Sequence, residues 1–299
     1  MNITKEFLER EYLVNKKSMK QIEREFGVKS VFYFLNKFGI KTRDISEIMK
    51  GVLPWNTGKR DPNKLHNFQK DIIKRDRECK ICGLKDKLET HHIKDREKYP
   101  DFLTNPSYSI TLCQACHKRV RLLMFPRKFI EKTFDIQINT NITSIGYDVA
   151  TKTGICLINQ KDDYVQFKLW TLEFVSGKEL FDVINKIDDF LKIIIPQINF
   201  KNQKTVAIIE DSFLKLNPYV FKFLSRLSGV FFVKNTFCNS IKYIQAGSAR
   251  KRINLKGNSK KEEVKEFLAQ HLYTWIDDDN QADAIVLAIN GLIEESTLV

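Results

Sequence analysis

Two pairs of cysteines constrain this chain more than any other feature of its sequence. Cys79 and Cys82 form one C-x2-C pair, and Cys113 and Cys116 form the second. Four thiolates in two tight pairs match the tetrahedral sites of structural Zn2+, in which sulfur fills every position. The chain is therefore expected to fold around a zinc-bound hairpin between the two pairs.

Three histidines accompany this hairpin. His91 and His92 precede Ile93 between the cysteine pairs, and His117 directly follows the last cysteine. A nuclease site can use one histidine as general base and others as metal ligands, whereas a plain zinc ribbon does not require paired histidines. We therefore favour a catalytic interpretation over a zinc ribbon with incidental histidines.

The combined pattern, C-x2-C, His-His-Ile and Leu-Cys-x2-Cys-His, resembles the HNH (ββα-metal) endonucleases of the four-cysteine type. The resemblance implies a hairpin carrying His91 and His92, then a helix carrying His117. It implies that His92 is the general base and that His91 and His117 bind a divalent metal ion. The family usually has Asn five residues before the third cysteine. This chain has Tyr108 there, and Asn105 is the alternative.

The charge of the chain is strongly asymmetric. Of the net charge of +13, residues 1–135 carry +12, with 30 basic against 18 acidic side chains. Such a concentration of positive charge predicts a DNA-binding surface rather than an inert solvated face. We find no apolar run long enough for a bilayer and no signal-peptide pattern at Met1, so we expect a cytoplasmic protein with no membrane partner.

The N-terminal segment predicts a small helical unit. Thr4 and Ser18 are expected N-caps of two helices, and a further helix is expected from Lys29 to Phe38 after a turn at Gly27. Short helices around a glycine turn fit a helix-turn-helix, although an ordinary helical hairpin has the same pattern. The candidate DNA contacts on the outward face of the last helix are Lys29, Ser30, Tyr33 and Lys37.

The sequence predicts four segments in order. Residues 1–50 form the helix-turn-helix arm, and residues 51–64 form a basic linker with Pro and Gly. Residues 65–126 form the zinc-containing HNH unit, and residues 141–299 form the last domain. Three strands, a helix and then alternating strands and helices in that domain predict a mixed α/β fold. The later elements expected there are a helix at 218–227, strands near 230–233 and 241–244, a basic loop at 246–261 and two helices.

Three acidic residues in this second half occupy positions where burial makes a charge costly. Asp148 and Glu210 each end an apolar strand, and Asp283 lies on the apolar face of the last helix. Converging carboxylates repel one another unless a cation lies between them, and several such groups can hold two Mg2+ ions. The alternative, that each acid is an ordinary cap or surface residue, accounts for one such position more easily than for three.

The motifs IGYDVA, IIED and ADAI around these acids resemble RuvC-type Holliday-junction resolvases, which have an RNase H-like fold. The resemblance implies that Asp148, Glu210 and Asp283 are catalytic and bind two Mg2+ or Mn2+ ions. The family commonly has a fourth acid where this chain has Asn280, and Asp279 is the expected substitute.

The same resemblance implies DNA contacts outside the acids. Phe213 falls where some resolvases carry an aromatic wedge, although core packing is an equal alternative. The basic stretch before the penultimate helix is expected to contact phosphates. Its candidate DNA-binding residues are Arg250, Lys251, Arg252 and Lys260.

The sequence thus predicts a metal-dependent endodeoxyribonuclease that cleaves branched DNA as a homodimer, with the HNH unit supplying grip or a second nick. A phage-type protein in a bacterial host fits this architecture. RNA-guided effectors carry their HNH unit inside the RuvC-like fold, so the tandem order argues against a guide RNA. The alternatives are a site-specific homing or mobile-element HNH endonuclease and a non-catalytic, zinc-containing DNA-binding protein.

Overall fold

The structure is a computed structural model of the whole chain. It describes residues 3–15, 17–28, 30–43, 62–138, 141–174, 180–198, 204–211 and 218–296. The chain divides into two compact units, residues 1–64 and 65–299. Most of the expected linker at 51–64 lies outside the described residues, and the expected boundary between 126 and 141 stays a prediction.

Short helices build the first unit, as the sequence predicts. Ser18 caps the second helix reciprocally with Gln21, and Gly27 ends it in a left-handed conformation with φ 65°. Leu8, Ile22 and neighbouring apolar side chains form a small core of their own. The helices are α1 (Lys5–Leu8), which continues as a π-helical turn (Glu9–Val14), α2 (Met19–Phe26) and α3 (Val31–Lys37).

The outward face of α3 carries the expected side chains. Ser30, Tyr33 and Lys37 are exposed, and Tyr33 exposes 58% of its surface. Lys29 lies outside the described residues. The contact of this face with DNA stays a prediction.

The second unit begins with a hairpin between two helices. Strands β1 and β2 pair antiparallel, with His91 opposite Ile110, and α5 follows β2 directly. The two strands and the following helix are the order expected for the cysteine and histidine segment. The elements are α4 (Pro62–Asp76), β1 (Leu88–His92), β2 (Ser109–Cys113) and α5 (Gln114–Val120).

A six-stranded mixed sheet forms the centre of the second unit, in the order β3-β6-β5-β4-β7-β8. Strands β4, β5 and β6 form an antiparallel meander, whereas β7 is parallel to β4 and β8 is parallel to β7. The expected mixed α/β class of this domain is therefore confirmed. The strands are β3 (Met124–Pro126), β4 (Ile142–Asp148), β5 (Lys152–Lys161), β6 (Tyr164–Glu173), β7 (Lys204–Glu210) and β8 (Ser240–Ile244).

Helices cover both faces of the sheet. The alternation of side chains along β4 directs Ile145 and Tyr147 to one core, which includes residues of α7 and α8, and leaves the other face to α11. None of the described helices is long and apolar enough to cross a membrane. The helices are α6 (Arg127–Phe134), α7 (Leu180–Ile194), α8 (Pro218–Lys234), α9 (Ala246–Arg252), α10 (Lys261–Leu272) and α11 (Asp279–Ser296).

The cysteine-bearing hairpin and the sheet share one hydrophobic core. Leu112 and Cys113 from β2 belong to the same buried cluster as Phe125 from β3 and Ile285 from α11. Because β3 also pairs with β6, the segment that follows α5 is part of the sheet. The hairpin is therefore built into the second unit rather than attached to it by a linker.

The close packing of α11 on β4 depends on Gly146. A Cβ atom at Gly146 would lie 2.3 Å from the carbonyl oxygen of Ala284 and 2.5 Å from the amide nitrogen of Ala288. We expect Gly146→Ala to lower the free energy of unfolding by about 3 kcal/mol, because helix backbone must move away from the strand. Denaturant unfolding measures the change.

The matched control is Gly229→Ala in the middle of α8. A Cβ atom there meets nothing within 4 Å, so we expect a gain of about 0.5–1 kcal/mol from the better helix former. Equal stability changes in the two variants would contradict the proposed close contact at Gly146.

Two sequence predictions in this unit are wrong. The expected strand near Val230–Val233 is the last part of helix α8, because Leu227 and Phe231, four residues apart, pack into the core with Tyr147. This packing overrides the β propensity of the Val-Phe-Phe-Val run. The expected basic loop at 246–261 contains helix α9.

Candidate functional site

The three predicted acids meet at one edge of the sheet. Asp148 ends β4 and Glu210 ends β7, and the two strands run parallel, with Tyr147 opposite Ile209. Helix α11 crosses β4 and brings Asp283 to the same place. The parallel strands and the crossing helix therefore assemble carboxylates that lie far apart in the sequence.

The three acids interact electrostatically. Burial raises the pKa of Asp148 well above its ordinary value, and its hydrogen bond with Glu210 and the charges of Glu210 and Asp283 raise it further. Asp148 and Asp283 are both buried, whereas Glu210 is half-buried. A divalent cation bound between these three carboxylates would stabilise their charged forms.

The raised pKa of Asp148 predicts a pH-dependent effect of Asp148→Asn on stability. A carboxyl whose pKa is higher in the folded protein favours folding below its unfolded pKa, and this advantage is lost as pH rises through the folded value. In buffer without Mg2+ or Mn2+, with zinc retained, we expect Asp148→Asn to be stabilising by roughly 1–3 kcal/mol at pH 8.

The stabilisation of Asp148→Asn relative to wild type should shrink towards zero near pH 4, because both proteins then carry a neutral group at position 148. Thermal unfolding at both pH values checks the difference. Asp101→Asn, at an exposed position, is the control and should leave stability nearly unchanged at both. A destabilised Asp148→Asn protein at pH 8 would contradict the expectation.

The expected fourth acid has a different partner. Asp279 pairs with Lys265 at 2.9 Å. Asn280, at the family's fourth position, accepts a hydrogen bond from Lys261 Nζ at 3.3 Å. The structure thus brings Asp148, Glu210 and Asp283 together, and a metal-binding role of Asp279 stays a prediction.

The basic residues near the acids divide into two groups. Lys251 and Lys260 are exposed, and Arg252, also exposed, pairs with Glu294. Arg250 instead points inward, and its Nη2 donates to Asp283 Oδ1 at 2.8 Å. Phe213, the expected aromatic wedge, lies outside the described residues.

The four cysteines of the hairpin form a metal-binding geometry. The Sγ atoms of Cys79, Cys82, Cys113 and Cys116 all lie within 4.8 Å of one another, and those of Cys82 and Cys113 are 3.7 Å apart. Three of the four side chains are buried. Four converging thiols fit a closed, structural Zn2+ site.

The three histidines come together beside this cluster. The rings of His91 and His117 are 5.0 Å apart. His91 Nε2 donates to the carbonyl of Tyr273 at 2.8 Å, and His117 Nδ1 donates to Glu89 Oε2 at 2.7 Å. These bonds orient the rings and leave Nδ1 of His91 and Nε2 of His117 as the nitrogens able to bind a metal. Burial lowers the pKa of His91 to about 4, so its imidazole is neutral.

His92 lies in the same cleft, with Nε2 donating to the carbonyl of Leu103 at 3.1 Å. The cleft has a volume of about 900 Å³ and is lined by α4, β1, α5 and the segments around Lys98 and Trp275. Its walls carry both acidic and basic side chains. The basic side chains in the lining are Lys70, Lys94, Arg96, Lys98 and Arg121.

Tyr108 and Asn105, the two candidates for the position of the HNH asparagine, form their side-chain hydrogen bonds with residues outside the lining of this cleft. Tyr108 donates its hydroxyl to Glu266 Oε2 at 2.8 Å, and burial raises its pKa to about 12. Asn105 Oδ1 accepts the amide of Ser107 at 3.0 Å and closes a local turn. Tyr108 therefore joins the hairpin to α10.

Lys94 forms a buried contact that the sequence does not reveal. Its Nζ lies 3.8 Å from the ring centre of Trp275, 4.1 Å from that of Phe102 and 4.4 Å from that of Tyr108. Trp275 also donates its backbone amide to Ile93 at 3.0 Å. The hairpin is thus connected to the segment that leads into α11 and Asp283. Because Trp275 is so distant in sequence, no local pattern indicates this contact.

We expect Lys94→Met to lower the free energy of unfolding by about 2 kcal/mol, because Met keeps the apolar stem and removes the cation from the rings. Lys85→Met, at an exposed position of the same segment, is the control and should change stability by less than about 0.5 kcal/mol. Denaturant unfolding measures both. A Lys94→Met protein as stable as wild type would show that the rings stabilise this position through apolar contact alone.

Among known proteins, the chain is similar to solved structures only. No protein-family model and no curated protein matches the chain. RuvC of Thermus thermophilus is similar at 12% identity and TM-score 0.37, covering 50% of this chain and 90% of that chain. T. thermophilus RuvC in complex with a Holliday junction substrate has 11% identity, TM-score 0.39 and coverages of 52% and 97%. The yeast mitochondrial Holliday junction resolvase Ydc2 has 15% identity, TM-score 0.33 and coverages of 56% and 84%.

Proposed function

We propose that this chain is a metal-dependent endonuclease that cleaves branched DNA. The observation that carries the proposal is the convergence of Asp148, Glu210 and Asp283 from two parallel strand ends and a crossing helix. Carboxylates held side by side repel one another unless a cation lies between them, and oxygen ligands suit Mg2+ or Mn2+.

In this proposal the three acids bind the divalent ions. When bound, two such ions activate the attacking water and stabilise the leaving oxygen of a phosphodiester. The chain's own contribution is to hold the acids at one sheet edge and to guide the DNA backbone. The exposed Lys251 and Lys260 contact phosphates near the acids. The four cysteines hold a structural Zn2+ that supports the hairpin.

The proposed substrate is a four-way DNA junction, cleaved symmetrically by a homodimer. The resemblance of the acid motifs to resolvases and the names of the structural neighbours support this substrate. The basic side chains of the first unit and of the histidine cleft are further candidate DNA contacts beyond the acid centre. The tandem order of the hairpin and the sheet supports the phage setting in a bacterial host expected from the sequence.

The test compares a four-way junction with a linear duplex of the same arm sequence, in Mg2+ or Mn2+. We expect paired cuts at the junction and an intact duplex. Analytical ultracentrifugation of the protein with the junction measures the stoichiometry, expected to be two chains to one junction. A duplex cut at one fixed sequence, with the junction ignored, would contradict the proposal.

The histidine cleft supports a second candidate, a homing or mobile-element HNH endonuclease. His91 and His117 lie side by side and His92 is held in the same cleft, so this centre has the residues for one-metal hydrolysis. Under this candidate the first unit selects the site. The non-catalytic alternative, a zinc-containing DNA-binding protein, requires that no divalent metal supports cleavage of any DNA.

A further inference from the structure

Arg250 differs from the other basic residues of its segment. Its side chain exposes 13% of its surface, whereas Lys251 and Arg252 on the same helix are exposed. Nη2 donates to Asp283 Oδ1 at 2.8 Å, and Nη1 donates to the carbonyl of Ser259 at 2.9 Å. The guanidinium group therefore faces the acid centre instead of the solvent.

The pairing with Asp283 is selective among the three acids. Asp148 and Glu210 interact with each other, and Arg250 binds Asp283, whose side chain exposes 11% of its surface. A charge-assisted hydrogen bond between two groups so shielded from water holds the carboxylate in one orientation more firmly than a surface pair does. Losing the arginine would leave Asp283 buried beside two further acids.

The geometry favours support over competition with a cation. Arg250 binds Oδ1 and leaves Oδ2 as the oxygen that can bind a metal. An entering cation cannot displace the guanidinium group without breaking its second bond, to Ser259.

We propose that Arg250 is a positioning residue of the acid centre, which orients the Asp283 carboxylate so that its second oxygen binds a divalent cation. This role replaces the phosphate contact expected for Arg250 from the sequence. The proposal rests on the proposed function of the acid centre. It does not require Arg250 to touch DNA.

The test measures Mn2+ binding to the full chain with its zinc retained, by calorimetry. Binding to the acid centre is the part that Asp148→Asn removes. We expect Arg250→Gln to weaken this binding about 10- to 100-fold, the usual effect of losing an orienting partner of a metal ligand. Arg250→Lys keeps the charge but cannot reach both partners as a planar fork, so it should recover only part of the affinity.

Lys251→Gln is the matched control on the next residue of α9. It should leave Mn2+ affinity unchanged and weaken junction binding. The slope of log junction affinity against log salt concentration should fall by about one, because one phosphate contact is lost. Guanidinium ion, added at millimolar concentration to Arg250→Ala, should restore part of the Mn2+ affinity and do nothing for wild type. Such rescue would not follow from a role in folding alone, and thermal unfolding of each variant checks the fold.

Unchanged or tighter Mn2+ binding by Arg250→Gln would overturn the proposal, and tighter binding would identify the arginine as a competing cation. A variant that loses junction affinity like Lys251→Gln, with normal Mn2+ binding, would restore the phosphate role. If wild type has no Mn2+ binding that Asp148→Asn removes, the proposed function fails and this proposal fails with it.

Discussion

Asp148→Asn is expected to reduce cleavage of a four-way junction by at least about 100- to 1,000-fold, with little loss of junction binding. Asp148 interacts with both other acids, through a hydrogen bond with Glu210 and through electrostatic repulsion by Asp283. Asparagine keeps the shape of the side chain and removes the charge that a divalent cation needs. Single-turnover cleavage, with excess protein over labelled junction, measures the chemical step separately from product release.

Asp211→Asn is the matched control for this experiment. Asp211 follows Glu210 directly but is exposed, and its backbone amide pairs with Ile244. We expect its cleavage rate to stay within about twofold of wild type, as for most exposed substitutions away from a site. Loss of activity in both variants would indicate a general charge effect at this edge of the sheet.

His92→Ala distinguishes the two candidate centres in the same assay. If the acid centre performs the cleavage, the His92→Ala protein keeps paired cuts at the junction, with a change confined to DNA affinity or a second nick. If His92→Ala alone removes all activity and the duplex is cut at a fixed site, the mobile-element endonuclease is the correct assignment.

Loss of zinc is expected to have the largest effect on stability. Structural Zn2+ in small cysteine sites contributes about 10–16 kcal/mol of apparent binding free energy at neutral pH. We expect Cys113→Ser to abolish the single bound Zn2+ and to lower the free energy of unfolding by more than about 5 kcal/mol. Elemental analysis of the purified protein measures the zinc, and thermal unfolding measures the stability.

The shared core predicts that the hairpin and the sheet are destabilised together. Cys113 packs in the same buried cluster as Phe125 and Ile285, so the sheet loses support together with the hairpin. We therefore expect one cooperative transition at lower temperature rather than a separate early melting of the hairpin. Cys238→Ala, outside the cluster, should retain one equivalent of zinc. Full zinc occupancy in Cys113→Ser would exclude the four-cysteine site.

The motifs that carry the chemistry of this chain could be predicted because the residues of each motif lie close together in the sequence. The spacing of Cys79 and Cys82 restricts them to one knuckle, and the hairpin and helix follow as expected. Ser18 is the N-cap that the sequence predicts, because its hydroxyl and the backbone amide of Gln21 lie within one helical turn. Asp148 and Glu210 could be predicted to converge because each ends an apolar strand, and the structure shows that the two strands are parallel.

The errors arise where burial, rather than local preference, decides. The Val230–Val233 run has the composition of a strand. Helix α8 nevertheless continues through it, because Phe231 packs in the same core cluster as Tyr147 of the sheet. The sequence of Arg250, Lys251 and Arg252 offers three equivalent cations on one short helix. Only the fold places the first of them against Asp283 and leaves the other two exposed.

The sequence by itself determined the donor sets, which are four thiols, three histidines and three acids, because each belongs to a short motif with its own chemistry. The tertiary structure alone decided how these sets are connected. His91 contacts Tyr273, and Lys94 contacts Trp275, across about 180 residues of chain. Contacts at such separation depend on how the sheet and hairpin share a core, and no local pattern of residues records that packing.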